Sequence, residues 1–218
     1  MTWVIDNFGY IWSLTLRHMV LSVIPIVVGF ALALPIGWYA NRHPRLRGGV
    51  LSFGSVIYTI PSLPLFVALP AILGTKILDP ANVVVALSLY AVAVLVRSAA
   101  DAFASVSPGV LDAASATGYS PRQRFLTVQL PLAGPVLLAG LRVVAVSTVS
   151  LVSIGALVGV SSLGSLFTNG FQRGFTTEIA AGVVGIVIVA LFFDALLVLG
   201  ARVLMPWSRI ARPTRGAA

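Results

Sequence analysis

The residues able to do chemistry in this sequence are few and poorly spaced for catalysis. Two histidines, His18 and His43, six carboxylates and no cysteine are all that could serve as general bases, metal ligands or thiol nucleophiles. An intramembrane serine protease would need a nucleophile and a base at the same depth, but both histidines fall near the ends of apolar runs. A metal centre is short of ligands for the same reason. Disulfides and thiolate sites are ruled out by the missing cysteines. No GxxxxGK[ST] loop is present to cradle phosphates, so any nucleotide hydrolysis must be done by another chain. The expected role is transport rather than catalysis.

Two ionisable residues stand inside apolar runs, where a charge needs a partner or a purpose. Arg142 lies nine residues past Ala133, and Asp194 ten residues before Leu204. At 1.5 Å per residue both sit roughly 14–15 Å from the same end of their helices. The matching depths predict an ion pair; the alternative is that Arg142 reaches back to the surface while Asp194 bonds a hydroxyl. Polar residues gather in two other places. Ser147, Ser150 and Ser153 recur every third position and form a stripe on one flank of a helix. Tyr58, Thr59 and Ser62 surround the first of three prolines in TIPSLPLFVALP. Stripes of this kind either join helices or line a wet route, and these five residues (Tyr58, Thr59, Ser62, Ser147, Ser150) are the candidate translocation pathway.

The elements that must position these groups are membrane helices. The chain has 218 residues, of which 58% are hydrophobic and 9% charged, with mean hydropathy +1.02. A soluble domain would be roughly a quarter charged. Helices over about 17–40, 50–73, 82–99, 133–157 and 179–204 would each cross a hydrocarbon core that takes about 20 residues. Such a path puts Arg42, Arg45, Arg47, Arg97, Arg122, Arg124, Arg202, Arg209, Arg212 and Arg215 on one side and only Lys76 and Arg173 clearly on the other. That asymmetry is the positive-inside pattern, with the N-terminus outside and the C-terminus in the cytoplasm. The net charge of +8 is therefore topological and does not call for nucleic acid. MTWVIDNFGYIWSL lacks a basic leader and carries Asp6, so no cleaved signal is expected. The reading is one all-α membrane domain over 14–205, an interfacial segment over 1–13 and a basic cytoplasmic tail over 206–218. Two local expectations accompany it: an i,i+4 pair between Arg97 and Asp101, and a Gly/Ser-rich outer loop over 158–175.

Against this apolar background DAASATGYSPRQRFLTVQLP (112–131) is out of place. Pro108 opens a short helix that Gly118 can close in a left-handed turn. Ser120 and Pro121 form an N-cap and first turn, and a second short helix follows, with Pro131 expected to stop it. The predicted object is a helix, a sharp turn and a helix, whose small residues (Ala113, Ala114, Ala116) permit close approach to a soluble partner. Phe125 and Leu126 would seat it on the membrane helices, and Arg122 and Arg124 would meet acidic groups or lipid phosphates. A DNA-binding helix-turn-helix has a similar turn, but thirty-odd residues pinned between two spans leave no room for its third helix.

The spacing Asp112-Ala113-Ala114, x3, Gly118, x9, Val128-Gln129-Leu130-Pro131 resembles the "EAA" loop of ABC importer permeases, with Asp112 in place of Glu and Val128 in place of Ile. TIPSLPLF, SPRQR, LPLAGPVLLAGLR and VGVSSLGSLF resemble the osmoprotectant branch of that family, over about residues 14–205. The resemblance implies the type I importer permease (MetI-like) fold in a bacterial plasma membrane. It also implies a coupling loop at 106–131, with Asp112, Ala113, Ala114, Gly118, Tyr119, Arg122, Arg124, Leu130 and Pro131 as ATPase-coupling residues. Partners implied are an ABC ATPase dimer that binds ATP and Mg, a second permease subunit, an extracytoplasmic binding protein and the bilayer; the chain itself needs no cofactor. Solutes implied are glycine betaine, carnitine, choline and proline betaine. An amino-acid permease, or a proton-coupled carrier using Asp194, are the alternatives. Where the branch carries Gly-Ala-Gly-Gly-Leu-Gly, this chain has Gly159-Val160-Ser161-Ser162-Leu163-Gly164, which makes Ser161, Ser162 and Gly164 the expected outer gate loop.

Overall fold

The structure is a computed structural model and describes residues 2–209. All regular elements among the described residues are helical. A short helix α1 (Thr2–Asp6) is followed by α2 (Phe8–Arg42), α3 (Pro44–Thr59), α4 (Ser62–Leu73) and α5 (Pro80–Ala104). Then come α6 (Pro108–Ala116), α7 (Pro121–Gln123), a π-helical turn (Arg124–Gln129), α8 (Leu130–Ile154), α9 (Gly164–Gln172) and α10 (Thr176–Leu204). Four stretches are long and apolar enough to cross a membrane: Phe8–Arg42, Pro80–Ala104, Pro121–Val158 and Thr176–Leu204. A fifth crossing exists if α3 and α4, bent by 99° at their junction, count as one broken span.

The centre of the molecule is α5, which packs against α2, α3, α4 and α8 and is the most deeply buried of the long helices. Small residues bring it onto α2. A Cβ on Gly29 would lie 2.4 Å from that of Ala91, and one on Gly37 the same distance from that of Ala99. Both positions advance by eight residues, so the two helices run parallel and touch backbone to backbone along their length. In lipid, where apolar side chains gain little by leaving their surroundings, close backbone packing of this kind is a main source of helix adhesion.

Four expectations are corrected. The first spanning helix begins at Phe8, so only Thr2–Asp6 forms a separate N-terminal helix and Tyr10 and Trp12 ride on the long helix itself. Arg97 and Asp101 do not pair with each other: Asp101 accepts from Arg47 Nη2 at 2.7 Å, and Arg97 Nη2 donates to Ser55 Oγ at 3.0 Å. Both contacts tie α5 to α3, the neighbour against which that end of the helix is packed. Pro131 does not stop a helix. The π-turn before it, closed by Leu130 N–H donating to Phe125 C=O, widens the backbone so that proline enters the first turn of α8 with its missing N–H unneeded.

The fourth concerns 158–175, read as loop: a 3₁₀ turn (Gly155–Val158) leads into it and α9 lies within it. Gly174, with φ 64°, then reverses the chain into α10. Gly182 and Gly185 of α10 let it press onto Leu163 and Leu166. Residues 210–218 of the expected tail, with Arg212 and Arg215, lie outside the described residues.

Candidate coupling and translocation sites

The knuckle between α5 and α8 is built from local bonds. Gly118 has φ 91°, a backbone region closed to most side chains. Tyr119 N–H donates to Ala114 C=O and Gly118 N–H to Ser115 C=O, each at 3.1 Å, the paired bonds of a Schellman motif. Ser120 and Gln123 then form a reciprocal capping box. Arg124 Nη1 donates to Ser115 Oγ at 2.7 Å, tying the second helix back to the first. The root of the knuckle is aromatic: Phe125 lies edge-on to Trp38 at 5.3 Å and against Phe103 at 5.8 Å. Trp38 also donates through Nε1 to the Gln129 side chain at 3.3 Å.

This geometry divides the expected coupling residues in two. Asp112, Ala113, Tyr119 and Arg122 are exposed on the projecting surface, and Gly118 shapes the turn between them. Ala114 is buried, Arg124 is a staple rather than an outward charge, and Leu130 and Pro131 hold the start of α8. Leu126 is exposed, so Phe125 alone of the two seats the knuckle.

The second site is the α3/α4 junction. Ile60 is extended (ψ 124°), as the residue before a proline prefers. Tyr90 of α5 donates its hydroxyl to Ile60 C=O at 2.5 Å, meeting one of the carbonyls that the break releases. The Tyr58 and Tyr90 rings stand edge to face at 5.7 Å. Tyr58 and Thr59 are exposed at the end of α3, and Ser62 is half-buried at the start of α4. On α8, Ser147 is half-buried and Ser150 exposed, while Ile57, Leu65 and Leu151 share one apolar cluster around Leu87, Tyr90 and Val152. The two polar groups thus flank a common packing centre.

Arg142 and Asp194 do meet. Arg142 donates from Nε to Oδ1 at 2.6 Å and from Nη2 to Oδ2 at 2.8 Å, a bidentate fork between α8 and α10. A carboxylate held in this way is poorly suited to carry protons. In the loop before α9, Ser161 is exposed and lines a cavity of about 550 Å³ with Arg17 and Leu78. Ser162 is fully buried and accepts from Gly164 N–H at 3.1 Å. Gly164 permits no side chain, since a Cβ there would lie 2.1 Å from Ser153 C=O.

Residues 26–210 match the family described as "Binding-protein-dependent transport system inner membrane component". The chain belongs to this family. It is therefore a multi-pass inner-membrane permease subunit of an ABC importer, a transport component and not an enzyme. Such permeases work with an ATPase and a substrate-binding protein. The chain is 32% identical to the osmoprotectant import permease protein OsmW of Salmonella typhimurium over 199 residues, covering 89% of this chain and 92% of that one. It is 30% identical over 194 residues to the glycine betaine/carnitine/choline transport system permease protein OpuCD of Bacillus subtilis, covering 88% and 83%. Among solved structures the fold matches an inward-facing form of the MetNI methionine ABC transporter with TM-score 0.73 at 21% identity, covering 92% of this chain and 97% of that one.

Sequence reasoning missed two buried groups. His18 is fully buried and bonds Val149 C=O through Nε2 at 2.9 Å, joining α2 to α8. Glu178 is buried in the first turn of α10 and paired with Arg173. Their partners come from the packing of α8 in one case and the Gly174 turn in the other, and spacing alone announces neither.

Proposed function

We propose that this chain is the permease subunit of an ATP-driven importer for quaternary-ammonium osmoprotectants such as glycine betaine, carnitine and choline. The observation that carries this reading is the pair of relatives named for osmoprotectant and glycine betaine/carnitine/choline transport, each matched over more than four fifths of both chains. The bidentate Arg142–Asp194 pair and the family favour ATP over proton coupling.

In this reading the N-terminus is outside and the knuckle cytoplasmic, in keeping with the arginine asymmetry. The knuckle rests in a groove of the ATPase, with Asp112 and Ala113 presented from α6, Tyr119 from the turn and Arg122 from α7. Two permease chains, identical or not, enclose the route, lined by Tyr58, Thr59, Ser62, Ser147 and Ser150. ATP and Mg bind the ATPase alone. Closure of the ATPase dimer draws the two knuckles together, and the Phe125–Trp38–Phe103 root passes that motion to α2 and α5. The loop at Ser161, Ser162 and Gly164 closes the outer end, where the binding protein delivers solute. The Arg142–Asp194 pair steadies one state of the cycle.

The test is reconstitution of the permease with its ATPase and binding protein in liposomes, followed by uptake of radiolabelled choline and glycine betaine. Uptake should require ATP and survive an uncoupler. Uptake that collapses with the uncoupler despite ample ATP, or that moves only amino acids, would overturn the reading.

A further inference from the structure

A broken helix at mid-membrane is a costly feature, because released backbone groups find no water in hydrocarbon. Such breaks persist only where they are buried in protein or line a water-filled cavity. The junction of α3 and α4 lies at such a depth. Its partner Tyr90 is ten residues past Pro80, the start of α5, or about 15 Å along that helix. Yet the junction is open: Tyr58 is 50% and Ile60 41% exposed. In the two-chain reading above, this surface faces the route enclosed between the permease chains and not lipid.

What that surface offers is specific. Thr59 Oγ1 donates to Val56 C=O, Ile60 N–H to Ile57 C=O and Tyr90 to Ile60 C=O. The carbonyls of Tyr58 and Thr59 belong to the last turn of α3, where the break at Ile60 and Pro61 ends the helix. They stand at the C-terminal, electronegative end of a helix. Beside them is the open ring of Tyr58, held edge to face against Tyr90. A ring face and the carbonyl end of a helix both attract positive charge, and neither requires the cation to donate a hydrogen bond. No carboxylate is close in sequence to trap it.

We propose that the Tyr58 ring and the electronegative C-terminal end of α3 form a transient mid-membrane site for the quaternary-ammonium head of the solute, with Tyr90 as a positioning residue. A quaternary ammonium has no N–H, so a face that asks for none suits it better than it suits a primary amine or a neutral sugar. Weak attraction without a counter-charge also lets the cation leave, as conduction demands. This site rests on the osmoprotectant reading above and adds a place and a chemistry to it.

The experiment uses the complete importer in liposomes, with Tyr58→Phe and Tyr58→Leu and labelled choline and glycine betaine at limiting concentration. Tyr58→Phe keeps the ring and should stay within about twofold of the wild type, whereas Tyr58→Leu should lose about tenfold, the size of a desolvated cation–π contact. Equal uptake by Tyr58→Leu and wild type, or Tyr58→Phe as poor as Tyr58→Leu, would overturn the proposal. Co-purification with the ATPase reports whether each variant assembles. Should Tyr58→Leu fail to assemble, phenylalanines of increasing fluorine content at position 58 keep the shape while draining the ring face. Uptake falling stepwise along that series supports the site, and a flat series overturns it. A wild-type importer that accumulates neither solute overturns the osmoprotectant reading and this site with it; a wild type that transports beside a flat series overturns the site alone.

Discussion

The chain is interrupted sharply at Gly118 and at Pro61, and the two interruptions are resolved in opposite ways. At the knuckle every bond that shapes the turn comes from within ten residues: Tyr119 to Ala114, Gly118 to Ser115, Ser120 with Gln123, Arg124 to Ser115. At the α3/α4 junction the decisive donor, Tyr90, is thirty residues away on another helix. The difference follows from surroundings. A segment that meets water can carry its own caps and project as a small rigid body. A break at membrane depth depends on its neighbours for the bonds that its own residues do not supply. The first arrangement suits transmission of force, and the second suits brief contact with a passing cation.

Substitutions can break or sharpen that contrast, read as thermal unfolding of the purified complex. The largest loss is expected at another long-range contact. Arg142→Leu or Asp194→Leu strands a charge in the span and should lower the melting temperature most, while the double change recovers much of it. A double variant no better than either single would remove the pair from the account. Next comes Tyr90→Phe, which deletes only the donor to Ile60 and should cost about 2 kcal/mol for a carbonyl left bare. No change there would mean that water already serves the junction. The smallest loss belongs to the knuckle: Gly118→Val forces a branched side chain into a left-handed turn at ~1–2 kcal/mol, since a Cβ there meets nothing within 4 Å. Its effect should appear in ATP-driven uptake and ATPase co-purification, and Gly118→Asn, which tolerates that region, should retain both. If Gly118→Val left coupling intact, the knuckle would not be the lever.

The same contrast governs what could be read from residues alone. Gly118, Ser120 and Pro121 are turn and cap residues whose effect reaches only their immediate neighbours, so the knuckle was legible. Four of the crossings, and the bent α3/α4 pair that would be a fifth, followed from apolar length, and the depth match of Arg142 and Asp194 from helical rise. Other assignments needed a partner that spacing does not specify. Asp101 chose Arg47 over Arg97 because α3 lies alongside. Arg124 turned inward because Ser115 was within reach. Pro131 entered α8 because a π-turn made room for it.

Composition and local pattern thus determined, by themselves, that the chain lives in a bilayer, roughly where it crosses and where it bends back into water. These depend on the free energy of transfer and on short-range backbone geometry, both written residue by residue. Tertiary structure decided which charges meet, how the Pro61 break is supported, and that Tyr58 and Tyr90 share a corner at mid-depth. Those depend on which helix faces lie together, and contact between distant positions exists only once the bundle has packed.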